Sequence, residues 1–251
     1  MKRLFLVLAL LFSASLPAQA PSAVPLPKEP HHHLVLENDY VRVFRVSVPA
    51  HDATLLHQHD VPYLYISLGP ADVINAVQGR PEARIVMADG QLGYSPGHFA
   101  HIARTDAGST FDNVTIELLK PQGDPKNICA KVLVGAPEAD CPKSRTTPGG
   151  LHKQPLLETG NTFVDLVALG PSLGVLSIRP QSGVLIVFLG ETQIQAHSPN
   201  APIEKVVEGD MIWVLPGSGE TIWNSRRKDL SYLALSFSGS ESLDSGAAPK
   251  P

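Results

Sequence analysis

Apolar and polar residues alternate with a period of two along much of the chain. The alternation runs through residues 35–48 and returns in short apolar segments at 63–68, 71–77, 84–87 and 114–119. Side chains of a β-strand point alternately to its two faces, so this period predicts strands that bury one face. Val, Ile and aromatic residues are frequent in these segments, and Gly and Pro separate them. The pattern therefore predicts an all-β fold.

The second half of the chain repeats the pattern of the first. The aligned segments are 63–69 with 184–190, 89–97 with 208–217 after one insertion, and the closing strand at 114–119 with 233–237. Such self-similarity is typical of tandem copies of one structural unit. We therefore predict two β-domains, at residues 34–121 and 161–238.

The segments outside these domains have a different composition. Residues 21–33 are a Pro- and His-rich leader that includes His31-His32-His33, which forms either an exposed strand start or a contact with the functional site. Residues 122–160 are predicted to link the domains. They hold the two cysteines of the chain, Cys129 and Cys141, and an even count in an exported protein favours one disulfide over two free thiols. Residues 239–251 are predicted to be a disordered tail.

Residues 1–20 have the features of a secretory signal peptide. Lys2 and Arg3 precede an apolar run that is too short to span a bilayer, and Ala18-Gln19-Ala20 resembles a cleavage site. We expect export to a periplasm or the extracellular space, without a stable membrane anchor. Loss of Lys2 and Arg3 would change the formal net charge from −4 to −6, because each carries one positive charge. A mildly acidic protein without a basic cluster is not expected to bind nucleic acid.

Three histidines of the first domain are candidate metal ligands. His57 and His59 lie one residue apart in an extended segment and project to the same side, and His101 belongs to a later segment. Imidazoles from two strands commonly hold a transition metal, whereas exposed strand histidines are the alternative. Imidazole ligands suit Fe(II), Zn, Ni, Cu, Co or Mn, and the sequence does not select among these divalent ions. The second domain has Thr221 in place of His101 and lacks the stretch that carries His57 and His59, so its role is predicted to be structural.

These segments resemble the two signature motifs of the cupin superfamily, over about a third of the chain. The matching residues are His57, His59 and Gly69 for the first motif and Gly90, Pro96 and His101 for the second. The chain departs from the motifs where Tyr63 and Leu64 stand at the Glu positions and His98 stands in place of a Gly. The resemblance implies two tandem double-stranded β-helix (cupin, jelly-roll) barrels. It implies a metal held by His57, His59 and His101 in the first barrel, and a degenerate second barrel.

The resemblance also implies a class of reaction. A three-His site without the motif Glu is similar to those of the thiol, gentisate and diketone dioxygenases, which implies an oxygenase acting on a small organic substrate. Two alternatives stay open: a non-catalytic module that binds a metal or a small ligand, and a carbohydrate isomerase or epimerase, which needs a base beside the metal. Exposed strand edges in such barrels favour a homodimer.

Three further residues are candidates to complete the site. Asp60 follows His59, and His98 lies three residues before His101, so either residue, or Tyr63 or a water, is a candidate fourth ligand. Tyr63, at the position of the motif Glu, is expected to point into the barrel and either to donate a hydrogen bond to a substrate or to fill space. Tyr63 and His98 are therefore the candidate catalytic residues.

Overall fold

The fold is described from a computed structural model of the chain. The described residues are 22–106, 108–129, 132, 145–146, 151–170, 176–196, 202–224 and 229–238. The signal peptide predicted at 1–20, the tail predicted at 239–251 and Cys141 lie outside these residues. Cys129 is buried, and its pairing with Cys141 stays a prediction. Within the described ranges, no helix is long and apolar enough to cross a membrane.

Ten strands of the first half form two sheets that face each other as one barrel. The strands of the first sheet are β1 (Val24–Pro25), β4 (His57–His59), β6 (Ala71–Val77), β7 (Ala83–Met87) and β9 (Phe99–Arg104). Those of the second are β2 (His32–Glu37), β3 (Val41–Val48), β5 (Tyr63–Ser67), β8 (Leu92–Ser95) and β10 (Phe111–Leu118). The orders are β1-β4-β9-β6-β7 and β2-β3-β10-β5-β8. A single 3-10 turn, Leu26–Lys28, connects β1 towards β2.

The strands of the second half form a similar pair of sheets. Its strands are β11 (Lys126–Asn127), β12 (Arg145–Thr146), β13 (Leu151–Glu158), β14 (Thr162–Leu169), β15 (Leu176–Ile178), β16 (Val184–Phe188), β17 (Thr192–Ala196), β18 (Glu204–Val206), β19 (Met211–Val214), β20 (Glu220–Trp223) and β21 (Leu230–Phe237). One sheet has the order β11-β13-β14-β21-β16-β19, with β12 paired to β13, and the other has the order β15-β20-β17-β18. These two barrels confirm the predicted all-β jelly-roll fold.

The two barrels pack against each other through one apolar core. The outer face of the β3-β10-β5 sheet supplies Val43, Ile66 and Ile116, and the facing sheet supplies Leu185 and Leu235, all fully buried. Burial of such side chains stabilises a fold by roughly 1.5–3 kcal/mol each. At the edge of this core the ring of Tyr40 stacks on that of Trp213 with 5.8 Å between centroids. The halves therefore share a core.

Two predicted boundaries differ from the observed ones. β1 and the first residues of β2 lie within the segment 21–33 predicted to be a leader, and β13 lies within the predicted linker 122–160. Pro155 lies inside β13, where the register of its pairing with β14 shifts between Pro155 and Leu157. Proline is tolerated in a strand at such a bulge, but in a sequence it predicts a loop rather than a strand. The second barrel therefore begins before residue 161.

Candidate metal centre

Strand β4 carries His57 and His59 into the interior of the first barrel. The two residues are separated by Gln58, so their side chains share one face, and they are 0% and 1% exposed. β4 pairs in antiparallel register with β9, which places His101 directly opposite His57. The ring centroids of His57 and His101 lie 4.5 Å apart, and that of His59 lies 5.1 Å from both. The structure thus brings the three predicted residues together.

In His57 and in His101, one ring nitrogen has a hydrogen-bond partner and the other has none. Nδ1 of His57 lies 2.8 Å from the carbonyl oxygen of Leu55, and Nδ1 of His101 lies 2.6 Å from Oδ1 of Asn75. Both oxygens only accept, so each Nδ1 carries the proton and each Nε2 keeps a lone pair. The two Nε2 atoms, and Nδ1 of His59, are buried without a hydrogen-bond partner. Buried polar atoms without partners are uncommon, and several unpartnered imidazole nitrogens in one cluster suit a metal.

The surroundings favour the uncharged form of these three imidazoles. Burial, with a contribution from His32, lowers the pKa of His57 to about 4. Burial, followed by the proximity of His57 and His32, lowers the pKa of His101 to about 3. Burial and the neighbouring His101 lower the pKa of His59 far below its ordinary value. At neutral pH the three rings therefore present lone pairs, the form in which imidazole binds a metal.

A fourth histidine, His32, lies in the same cluster. One ligand atom each of His32, His57 and His59 lie within 4.8 Å of one another, whereas His101, although its ring is close to those of His57 and His59, is not part of this group. In the described part of the chain it is the one group of three or more His, Cys, Asp or Glu residues so arranged. Nδ1 of His32 lies 2.5 Å from Oε2 of the buried Glu29. Sequence spacing around His57 did not reveal His32, because β2 comes from a distant part of the chain. Of the two alternatives stated for His31-His32-His33, contact with the functional site therefore describes His32, which is buried and lines the same cavity, whereas His33 is exposed.

Tyr63 lies beside the cluster, as predicted for a residue that points into the barrel. Its ring stacks on that of His59, with 4.0 Å between centroids and an interplanar angle of 18°. Burial raises the pKa of Tyr63 well above its ordinary value, although a hydrogen bond with Ser95 opposes the shift. The phenol is thus protonated across the physiological pH range and can act as a donor.

Asp60 and His98 do not lie in the interior. Both side chains are exposed, and neither lines the cavity that contains the histidines. His98 has a φ of 61°, and its backbone N–H donates to the carbonyl oxygen of His59 at 2.6 Å. The predicted roles of Asp60 and His98 as ligands, and of His98 as a catalytic residue, are therefore contradicted: the turn after Pro96 directs the side chain of His98 to solvent.

The histidines line a cavity of about 620 Å³ inside the first barrel. Apolar and aromatic side chains form most of its wall, among them Val73, Met87 and Phe99, and the exposed Arg80 and Arg84 also line it. Among the described residues, no Asp or Glu lines this cavity. The volume is in the range of sites for small organic molecules.

The described part of the second barrel has an apolar interior. Its core contains Val167, Ile186, Phe188 and Ile222, all buried. Thr221, the counterpart of His101, is buried on β20. No His, Cys, Asp or Glu triad with ligand atoms in reach of one another occurs in the described part of this barrel. These observations agree with the predicted structural role.

Comparison with known proteins gives likeness in structure alone. No family model matches the sequence, and no curated protein matches it significantly. A cupin 2 conserved barrel domain protein from Leptotrichia buccalis is similar over 82% of this chain and 88% of its own, with a TM-score of 0.53 and 10% identity.

Two further solved structures are similar over most of the chain. A putative glyoxylate-induced protein from Pseudomonas aeruginosa has a TM-score of 0.58 and 13% identity, over 82% of this chain and 78% of its own. A salicylate 1,2-dioxygenase from Pseudoaminobacter salicylatoxidans, in complex with gentisate, has a TM-score of 0.56 and 11% identity, over 79% of this chain and 69% of its own. At this level of identity the likeness concerns the fold.

Proposed function

The two barrels have the fold of the cupin superfamily, and we propose that the first barrel binds one divalent transition metal through His57, His59 and His101. The observation that supports this most directly is the set of three buried, unpartnered imidazole nitrogens in one cavity. Buried imidazole nitrogens without a partner in the chain forfeit the hydrogen bonds that water makes with them in the unfolded protein. A metal ion that accepts the lone pairs would offset that loss.

The chain's own groups prepare the imidazoles for such an ion. The Leu55 carbonyl and Asn75 hold the tautomers of His57 and His101, and the stacked ring of Tyr63 restricts His59. A bound divalent metal would supply Lewis-acid or redox chemistry to a molecule in the cavity. Tyr63 is positioned to donate a hydrogen bond, and the apolar wall excludes water from the reacting groups.

As the enzymatic function we propose an oxygenase that uses dioxygen and a small, mainly apolar organic substrate. In a dioxygenase that cleaves a bond of its substrate, the substrate supplies the four electrons that reduce dioxygen and both oxygen atoms end in the product, so no external reductant is required. The cavity volume and its aromatic and apolar wall support a small organic substrate. The structural likeness to a salicylate 1,2-dioxygenase supports the same class of reaction by analogy of fold.

A non-catalytic module that binds a metal or a small ligand is the second candidate. It is favoured by the wall of the cavity, where the described residues include no carboxylate that could serve as a base. The same observation disfavours a carbohydrate isomerase or epimerase, which must move a proton beside the metal. Export to a periplasm or beyond and association as a homodimer remain proposals, based on residues 1–20 and on the exposed edges of the sheets.

Metal content is the first test. The chain without residues 1–20 and without a polyhistidine tag would be loaded and analysed by elemental mass spectrometry, with His31 and His33 replaced by Ala to exclude adventitious binding. We expect about one ion per chain, and its loss in a His57→Ala/His101→Ala variant. His98→Asn is the matched control, because it removes an exposed histidine at a positive φ that Asn tolerates.

Catalysis would be tested separately. Substrate-dependent uptake of dioxygen by the metal-loaded protein, screened over small aromatic and aliphatic acids, supports the oxygenase. Stoichiometric metal without uptake for any ligand that binds the cavity favours the binding module. If the reconstituted protein retains no ion, the proposed metal site is wrong.

A further inference from the structure

We infer that His32 is a fourth ligand of this metal, delivered by the N-terminal segment in place of the absent motif Glu, and that Glu29 orients it. The inference rests on the proposed metal site and adds a residue to it. Strand β2, which carries His32, pairs with β3 rather than with the strands of the predicted ligands. The N-terminal segment thus becomes part of the metal centre.

The position of His32 is that of a ligand. Its ligand atom lies within 4.8 Å of those of His57 and His59, and atoms that share an ion at about 2.0–2.1 Å each must lie within about twice that distance of one another. The ring centroid of His32 lies 4.8 Å from that of His57 and 6.3 Å from that of His59. His32 is 8% exposed and lines the cavity. Coordination of one ion by His32 together with the three other histidines requires their ligand atoms to move closer together.

Glu29 presents one nitrogen of His32 to the cluster. The carboxylate Oε2 accepts from Nδ1 at 2.5 Å, which leaves Nε2 as the ring's available ligand atom. Carboxylate–histidine–metal arrangements of this type fix the tautomer and make the imidazole a stronger ligand. The contact therefore gives His32 the feature that Leu55 and Asn75 give to His57 and His101.

The carboxylate itself is held firmly in place. Its Oε2 also accepts from the backbone N–H of His31 at 2.9 Å, and Oε1 accepts from that of Leu55 at 3.1 Å. The carbonyl of the same Leu55 accepts from Nδ1 of His57. One short network thus aligns His32 and His57 together. Burial alone would raise the pKa of Glu29, but its hydrogen bonds with His32 and Leu55 lower it.

The charge of Glu29 is a second reason to expect a cation here. The carboxylate is 1% exposed, and within the described ranges its one ion-pair partner is His32. A buried anion is stabilised by a nearby cation, and a divalent ion bound to His32 would lie one imidazole away. Tyr63 occupies the position of the motif Glu and stacks on His59, so the carboxylate beside the cluster is that of Glu29, which contacts His32.

Removing His32 tests the inference directly. The affinity for Zn would be measured by competition with a chromophoric chelator, and the Cu(II)-loaded protein would be examined by electron paramagnetic resonance, which responds to the number of nitrogen ligands. We expect His32→Ala to weaken Zn binding by about 100-fold while one ion still binds, and to change the Cu(II) spectrum; Glu29→Gln should weaken it by about 10-fold. The exposed neighbour offers the control: His33→Ala should change neither.

Added imidazole distinguishes a role of His32 as a metal ligand from a role in packing alone. Added imidazole should restore the wild-type Cu(II) spectrum of His32→Ala, which a purely structural role would not predict. If His32→Ala does not fold, His32→Gln keeps the volume and a donor to Glu29, and the same changes are expected. A wild-type spectrum and affinity in either folded variant would overturn the inference and leave the three-histidine site standing. A wild-type protein that binds no ion would overturn both.

Discussion

The hydrogen bond between Asn75 and His101 decides which nitrogen of that imidazole faces the cavity. Without the Oδ1 acceptor the ring could rotate or carry its proton on Nε2. We predict that Asn75→Ala lowers metal affinity by about 10–100-fold, whereas Asn75→Asp, which keeps the acceptor, stays within a few-fold of wild type. Competition with a chelator measures both. Gln58→Ala, on the same strand as two ligands but directed away from the cavity, should have no effect; equal losses in all three variants would contradict the role of Asn75.

Gly97 lies in the turn that positions β9 and therefore His101. It has a φ of +69°, and a Cβ at this position would lie 2.1 Å from the carbonyl oxygen of Val61. A left-handed backbone costs a residue with a Cβ about 1–2 kcal/mol, and here a backbone clash is added. We predict that Gly97→Ala lowers the free energy of unfolding by more than about 2 kcal/mol in chemical denaturation.

A variant at a second glycine distinguishes the cost of backbone strain from the cost of the steric clash. Gly69 has a φ of +98°, and a Cβ there would meet no atom within 4 Å. Gly69→Ala should therefore cost only the strain of the left-handed backbone, about 1–2 kcal/mol. If the two variants are equally stable, contact with Val61 plays no part.

At the scale of elements, strand β10 is buried on both of its faces. Its apolar residues Val114, Ile116 and Leu118 belong to the core between the barrels, whereas Asn113 and Thr115 line the cavity. The alternation of apolar and polar residues thus predicted a strand correctly. Its apolar face, however, packs on the other barrel, and the polar face forms the interior of the site.

The same strand carries a buried carboxylate whose titration gives the third prediction. Burial raises the pKa of Glu117, although Arg42 opposes the shift from a distance of 2.8 Å. A carboxyl with a raised folded pKa binds its proton more tightly in the folded state, so its contribution to stability declines as pH rises from about 4 through the folded pKa. The stability of wild type relative to Glu117→Gln should therefore fall between pH 4 and pH 7.

Chemical denaturation at several pH values measures this difference, and the other titrating groups cancel between variant and wild type. Glu82 gives a control of opposite sign, because its hydrogen bond with Arg104 lowers the pKa of that exposed carboxyl. The stability of wild type relative to Glu82→Gln should instead rise as the pH increases towards about 5, because the lowered folded pKa lies below the unfolded value of about 4.3, and it should stay nearly constant from there to pH 7. A Glu117 difference that also rises would show that the ion pair with Arg42 outweighs burial.

The sequence predicted the strands better than it predicted where the barrels begin. Period-two alternation identified β3, β5, β6 and β10 because each has one apolar face. It did not identify β13, whose Pro155 and polar residues break the pattern, or β1 and β2, which lie among prolines and histidines. These strands are defined by the strands with which they pair. Pairing with a strand that is distant in sequence produces no local alternation of apolar and polar residues.

The sequence predicted three of the four clustered histidines. His57 and His59 share a strand face, so local spacing identified them, whereas the choice of His101 came from the resemblance of Gly90, Pro96 and His101 to the second cupin motif. His32 joins them only through the pairing of β2 with β3, which the sequence does not display. His98, which was proposed because it lies three residues before His101, has a positive φ and an exposed side chain.

At the scale of the whole molecule, the two barrels have different interiors and pack against each other through their outer faces. The first holds a cavity lined by four histidines, and the described part of the second holds an apolar core, so the proposed metal site belongs to one half. Between them lies a continuous core to which both contribute fully buried side chains. A further contact joins them where Nη1 of Arg45 donates to the carbonyl oxygen of Glu208 at 3.3 Å. Separation of the barrels would expose that core, so we expect them to unfold together.

Both tryptophans of the chain, Trp213 and Trp223, lie in the barrel without the proposed metal, which makes the coupling measurable. An ion that binds only the folded state at 100 times its dissociation constant stabilises it by about 2.7 kcal/mol. If the barrels unfold as one unit, the tryptophan fluorescence transition should shift by that full amount when metal is added, although the ion binds in the other barrel. The His57→Ala/His101→Ala variant should show no shift. A tryptophan transition insensitive to metal, beside a separate transition of the first barrel, would mean that the shared core does not couple the halves and that the second barrel is an independent domain.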